Sequence, residues 1–100
     1  MITKTDKHQY FFEVELTRTE GRKGILTAKD VKGSIEIATA PEFKGGVPDK
    51  WTPEHLFLGA ISSGYMMAYL AIAEKRDLTV CHITCSSIGQ INLYDAHLEF

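Results

Sequence analysis

Two cysteines near the C-terminal end carry the side chains in this sequence best suited to chemistry. Cys81 and Cys85 flank His82, and thiolates and imidazoles act as nucleophiles, redox partners and zinc ligands. The Val, Ile and Thr content of Leu78–Cys85 favours a strand, on which residues four apart lie about 13 Å apart, beyond disulfide reach. His82 would then point to the opposite face. We therefore expect two small buried hydrophobes, with no metal site and no intrachain redox couple.

Arg22 and Glu54 are the next candidates, since a guanidinium held by a carboxylate can bind an anion or a polar ligand. Arg22 lies in the turn sequence Gly21-Arg22-Lys23-Gly24, and Glu54 follows Pro53 at a predicted helix start. The alternative is that Arg22 is a solvated turn residue and that Glu54 only complements the helix dipole. Both interpretations stay open at this point.

The elements that would position Arg22 form an antiparallel β-meander. Tyr10–Thr17 alternates apolar and polar residues, which predicts a half-buried strand. Shorter strands follow at Ile25–Lys29 and Ser34–Ala38, with turns predicted at 20–24 and 30–33.

A long helix follows the loop Pro41–Asp49, whose prolines and glycines exclude regular structure. Thr52 predicts a cap and Pro53 suits the first helical position, so we expect a helix from Pro53 to about Lys75. Leu56–Ala73 is uncharged, and a helix that is apolar all round is found in a core or in lipid. Its glycines, serines and alanines favour a buried core helix over a membrane span, and close packing against another backbone would explain Gly59 and Gly64.

After this helix the strand at 78–85 is predicted to continue towards Leu93, with a turn at 94–97 and a return strand beginning at Leu98. We expect a single α+β domain over residues 1–100, with a hairpin whose second arm is short.

Three blocks of the sequence resemble the OsmC/Ohr family of organic hydroperoxide reductases in order and spacing. They are Gly21-Arg22-Lys23-Gly24, Pro41-Glu42-Phe43-Lys44-Gly45-Gly46 and Trp51-Thr52-Pro53-Glu54-His55-Leu56-Phe57-Leu58-Gly59-Ala60-Ile61-Ser62-Ser63. The resemblance covers nearly the whole chain and implies an OsmC-like fold, truncated at its C-terminal end relative to the family.

In that family a cysteine thiolate on the central helix attacks a peroxide, and a second cysteine closes a disulfide. The resemblance places Arg22 at the arginine that activates the thiol and Glu54 at the glutamate that holds this arginine. It places Gly64 at the nucleophilic cysteine, and the second cysteine would lie beyond Phe100. We therefore expect no peroxidase activity and no cofactor.

The resemblance also implies an intertwined homodimer in which the central helices pack together. If Arg22 and Glu54 pair without a thiolate, a small pocket for an apolar or peroxide-like ligand is expected beside Gly64. Its expected lining, besides Arg22 and Glu54, consists of Phe57, Ile61, Tyr65 and Met66, although residues at this helical spacing are more often plain core.

Composition narrows the class of protein. The chain is 44% hydrophobic and 24% charged, with a formal net charge of −2, which is typical of a folded domain and offers no basic stripe for nucleic acid. The first eight residues lack a signal-like apolar core, so we expect a cytoplasmic protein without a membrane partner. The main hypothesis is a redox-inactive OsmC-like protein, and the alternative is a hydroperoxide reductase using a displaced cysteine.

Overall fold

A computed structural model describes residues 9–94 and 97–99 of the chain. The fold is α+β, with a three-stranded antiparallel meander followed by one long helix, as the sequence predicts. The elements are β1 (Glu15–Glu20), β2 (Lys23–Ala28), β3 (Val31–Ala38), α1 (Pro53–Lys75), β4 (Asn92–Tyr94) and β5 (His97–Glu99). The chain forms two compact units, the first ending at Trp51 and the second beginning at Thr52.

The meander of the first unit has the strand order β1-β2-β3. Gly21 and Arg22 connect β1 to β2, and Gly21 adopts a φ of 51° that glycine tolerates best. Beyond β3, Trp51 forms a parallel bridge with Ile37, and the Ala38 N–H donates to the Trp51 carbonyl at 2.9 Å. This bridge brings residues on the far side of the loop back to the edge of the sheet.

The expected half-buried strand at Tyr10–Thr17 is wrong in position and in burial. β1 begins only at Glu15 and is exposed along its whole length, and Phe12, ahead of it, is 90% exposed. The physical reason is the length of the neighbouring strand. Glu15 already pairs with Thr27, and β2 ends at Ala28, so residues before Val14 run past the end of their partner.

The loop after β3 is irregular, as predicted, but it is held by backbone hydrogen bonds. Thr39 N–H donates to the Arg22 carbonyl at 3.1 Å, and Val47 N–H donates to the Thr39 carbonyl at 3.0 Å. At Gly46 a Cβ atom would overlap the backbone of Ala40, so the chain can pass only where there is no side chain. Ile37 and Ala38 are the buried hydrophobic residues of this unit among those described.

Helix α1 occupies the predicted range and begins at the predicted cap. The Thr52 side chain accepts a hydrogen bond from the His55 N–H, Pro53 is in the first turn, and Glu54 provides an acidic residue near the positive end of the helix dipole. Because these signals are local, they act in the same way whatever surrounds the helix.

The expectation that α1 is buried is wrong, since Ala73 is its one buried residue. The better-covered residues of α1 lie mainly along one side. They are Glu54, Leu58, Ser62, Met66, Leu70 and Ala73, with Leu56 in addition near the N-terminal end. On this side, Ser87 Oγ donates to the Leu58 carbonyl at 3.1 Å. The apolar residues continue around the whole helix, so most of them face solvent.

The predicted strand at Leu78–Cys85 is also wrong, because no strand is found between residues 76 and 91. A strand needs a hydrogen-bonded neighbour, and none of the described residues pairs with this segment. The hairpin that follows is short, with Asn92 opposite Glu99 and Tyr94 opposite His97. The predicted turn falls partly on residues 95 and 96, outside the described part of the chain.

Candidate functional site

Gly64 lies near the middle of α1, on its exposed surface. A Cβ atom built at this position meets nothing within 4 Å, and the same holds at Gly59. Among the described residues, no close backbone packing is found at these two glycines. A side chain at residue 64 would fit without rearrangement, but glycine offers no atom that can attack a peroxide.

Arg22 lies in the β1–β2 turn and is exposed. Its aliphatic stem runs beside Gly45, where an added Cβ would come within 3.0 Å of Arg22 Cγ. Gly45 has a φ of 80°, so both its backbone conformation and the neighbouring arginine favour glycine there. The turn and the Pro41–Asp49 loop thus position Arg22 together.

Glu54 lies in the first turn of α1 and is half-buried. Arg22 belongs to the first compact unit and Glu54 to the second. Their pairing stays a prediction.

The predicted lining residues lie on α1 with their side chains largely in solvent. Phe57, Ile61 and Tyr65 are 68%, 51% and 69% exposed, and their spacing of four residues places them on one face of the helix. Met66 is half-buried. These three exposed residues form an apolar strip, and a ligand pocket at this strip stays a prediction.

Both cysteines are free thiols, with Cys81 exposed and Cys85 half-buried. The expected separation of about 13 Å between Cys81 and Cys85 assumed strand geometry. Leu78–Cys85 is not a strand, so that distance no longer follows. Within the described residues, no group of three or more His, Cys, Asp or Glu side chains is arranged to hold a metal ion.

A shallow cavity of about 270 Å³ lies in the first unit, where residues 34–36 of β3 face residues 49–51. Glu36 and Lys50 are among its lining residues, and Lys50 Nζ donates to Glu36 Oε1 at 2.6 Å. This hydrogen bond and the positive charge of Lys50 lower the pKa of Glu36, and the carboxylate raises the pKa of Lys50. Asp49 and Trp51 lie beside this pair, and Trp51 is 58% exposed.

Sequence reasoning missed this cavity because its two walls are distant in the chain. The Ile37–Trp51 bridge, which brings them together, is a pairing that no local pattern signals. The nearest signal was the Asp49-Lys50-Trp51 run, in which an aromatic side chain follows two opposite charges at the end of a loop.

The apolar surface of α1 extends over nearly the whole helix. Leu56–Ala73 contains no charged residue. Among the described residues, Pro53–Lys75 is the one helix that is long and apolar enough to cross a membrane by length and composition. Core helices of soluble proteins pass the same test, but those are mostly buried, whereas this one is mostly exposed. Large exposed apolar patches are typical of protein–protein and membrane interaction sites.

Comparison with known proteins returned no match to a family model, to a curated protein or to a solved structure.

Proposed function

We propose that this chain is a redox-inactive, OsmC-like protein that works as a homodimer and uses α1 as its dimer surface. The observation that carries the proposal is the exposure of the uncharged helix α1, with Gly64 in open space at its middle. A surface of this kind supports the proposed association, and the missing side chain at residue 64 supports the proposed lack of peroxide chemistry.

The dimer is supported by how little the chain buries by itself. Within the described residues, the buried hydrophobic side chains are Ile37, Ala38 and Ala73, while sixteen large hydrophobic residues are exposed. Small domains are already marginal in the apolar area they bury. A second copy of α1 would remove uncharged surface from water on both chains at once, at about 25 cal/mol per Å².

The expected lack of peroxidase activity is supported by residue 64, where glycine supplies no thiol. Cys81 and Cys85 are free thiols in the stretch that follows the C-terminal end of α1. The resemblance implies that Arg22 and Glu54 bind a small apolar or peroxide-like ligand, and this role is part of the proposal.

The enzymatic part is tested by following organic hydroperoxide consumption with a dithiol reductant. The native chain, its Gly64→Cys variant and a Cys81→Ser/Cys85→Ser control are compared. Peroxide-dependent thiol oxidation only in Gly64→Cys supports the proposal. Turnover by the native chain that disappears in the double serine variant contradicts it and assigns the activity to a displaced cysteine.

The dimer is tested by sedimentation equilibrium of the native chain and its Ile61→Lys variant. The matched control is Val31→Lys, at a 61% exposed residue of β3. We expect dissociation with Ile61→Lys only. A monomeric native chain that binds lipid vesicles through α1 would refute the dimer and favour a membrane surface instead.

A further inference from the structure

We propose that the cavity beside the ion pair of Lys50 and Glu36 binds a small organic cation that carries an alkylammonium group. The positive group is held by the Asp49 carboxylate and the Trp51 indole. All the residues that line this cavity belong to the first unit, so the site uses no residue of α1 and none of the surface proposed for the dimer.

The cavity is built where the end of the loop after β3 returns to that strand. The parallel bridge between Ile37 and Trp51 fixes this return. Counting back along both segments places Lys50 beside Glu36, in agreement with the hydrogen bond between them. Asp49, one residue earlier, has a φ of 63°, a left-handed conformation that aspartate and asparagine adopt more readily than most residues. The backbone therefore brings the two walls of the site together.

The charges around the cavity favour a cation. The cavity is lined by two carboxylates, those of Glu36 and Asp49, and by the single ammonium group of Lys50. The pKa of Lys50 is raised by its hydrogen bond to Glu36 and by the charge of Glu36, and to a smaller extent by the charge of Asp49. One lysine thus serves both carboxylates, and one negative charge is left for a ligand.

Trp51 adds an aromatic wall to this negative charge. It lines the cavity and is 58% exposed. The face of an indole ring attracts a cation through its quadrupole, and tryptophan is the most effective aromatic side chain for this interaction. Quaternary ammonium compounds and methylated lysines are recognised on aromatic side chains in this way. An indole together with a surplus carboxylate favours an ammonium compound over an anion or a neutral ligand.

The size of the cavity limits the ligand. Its volume is about 270 Å³, below the range of roughly 300–1,000 Å³ that is typical of pockets for drug-sized ligands. Because the cavity is shallow, a ligand keeps part of its surface in water, and we expect weak affinity. A compound of the size of choline, or the ammonium end of a lysine side chain, meets these limits.

The test compares choline with its neutral carbon analogue, in which a tert-butyl group replaces the trimethylammonium group. Saturation-transfer NMR on the methyl protons of each compound measures binding to any variant. Trp51 is the one tryptophan of the chain, so its fluorescence gives a second readout for the native protein. We expect saturable binding of choline, and binding of the neutral analogue that is weaker by about threefold or more because the attraction of the cation is lost.

A short peptide with one lysine, blocked at both ends, distinguishes the two sources of the ammonium group. Its control is the same peptide with norleucine in place of lysine. Binding of choline or of the lysine peptide, in preference to its neutral control, supports the proposal. The tighter of the two ammonium probes identifies the source as a free compound or a side chain.

Asp49→Asn and Trp51→Leu each remove one of the two proposed contacts. Asparagine adopts the left-handed backbone of residue 49 as readily as aspartate, so a loss in Asp49→Asn reports the charge. Each variant should bind choline about threefold more weakly, or worse. The matched control is Asp30→Asn, at an exposed aspartate in the β2–β3 turn, which changes the net charge equally and should bind choline like the native chain.

Lys50→Met separates the site from damage to the fold. Removing the lysine leaves both carboxylates to the ligand, so choline should bind more tightly, by about threefold, and an unfolded variant cannot do so. The proposal is overturned by equal binding of each ammonium probe and its neutral control. It is also overturned by native-like binding in both Asp49→Asn and Trp51→Leu, or by weaker binding in a folded Lys50→Met.

The cation site and the dimer are tested independently. Ile61→Lys changes no residue that lines the cavity, so this variant should bind choline like the native chain. A monomeric native chain that binds choline would refute the dimer alone. A dimer that does not distinguish choline from its neutral analogue, nor the lysine peptide from its control, would refute the cation site alone.

Discussion

His55 closes a reciprocal pair of hydrogen bonds with Thr52 at the start of α1. Thr52 Oγ1 accepts from the His55 N–H at 3.2 Å, while Thr52 N–H donates to His55 Nδ1 at 3.1 Å. Glutamate or glutamine usually fills the position of this histidine in such a capping box. Sequence analysis identified Thr52 as the cap and did not anticipate that His55 would complete it.

The capping box predicts how α1 responds to substitution of His55. His55→Ala removes the acceptor of the Thr52 N–H and should lower helix stability by about 0.5–1 kcal/mol. His55→Gln should restore most of this, because glutamine at the same position can accept the same bond. Urea unfolding followed by circular dichroism at 222 nm measures both. Equal stability of the alanine and glutamine variants would show that the His55 ring bonds contribute nothing.

Replacing Asp77, at the C-terminal end of α1, by glycine is expected to stabilise the protein. Its N–H donates to the Glu74 carbonyl at 3.1 Å, and Leu78 N–H donates to the Ala73 carbonyl at 2.9 Å, which is the Schellman pattern. Asp77 holds a φ of 56°, a left-handed conformation that costs a residue with a side chain about 1 kcal/mol. Asp77→Gly should therefore raise the midpoint of thermal unfolding and Asp77→Val should lower it. Loss of stability in the glycine variant would contradict the prediction.

Replacing glycine by alanine is expected to have opposite effects on stability at Gly46 and at Gly64. A Cβ at Gly46 would overlap the Ala40 backbone, whereas one at Gly64 meets nothing within 4 Å. Gly46→Ala should destabilise the first unit by about 1–3 kcal/mol through forced backbone movement. Gly64→Ala should stabilise α1 by up to about 1 kcal/mol, the difference in helix propensity. Denaturant unfolding of the two variants beside the native chain measures both, and a tolerated Gly46→Ala would refute the close approach.

The features predicted correctly from the sequence are those with local causes. Helix α1 spans Pro53–Lys75 as predicted, since its cap, its proline and its charged end act within a few residues of the boundary. The position of Gly64 on that helix followed directly. The meander was predicted for the same reason, because turn residues separate its strands.

The features predicted wrongly depend on neighbours that a local pattern does not supply. Leu78–Cys85 has the side chains of a strand, but strand structure requires a paired backbone, and the described chain provides none. Burial of α1 was inferred from its composition. Composition shows only that its apolar side chains are more stable when packed against another apolar surface. Whether the same chain provides that surface depends on its tertiary structure.

The ion pair between Lys50 and Glu36 predicts a pH-dependent contribution to the first unit. The pKa of Glu36 is lowered by the hydrogen bond and charge of Lys50. The stabilisation is therefore complete above the ordinary pKa of glutamate and is lost as the pH falls through the lowered value. The pKa of Lys50 is raised by the same partner, so on the alkaline side the stabilisation is lost as the pH rises through the raised value.

The measurement is an NMR titration of the Glu36 carboxyl group in the native chain and in Lys50→Met. Replacing Lys50 by methionine should move the Glu36 midpoint upward, towards the ordinary value for glutamate, and Lys50→Arg should keep it low because the cation remains. Both side chains are partly exposed, at 31% for Lys50 and 47% for Glu36, so added salt should reduce the difference between the native chain and Lys50→Met. An identical midpoint in Lys50→Met would show that the 2.6 Å contact does not persist in solution.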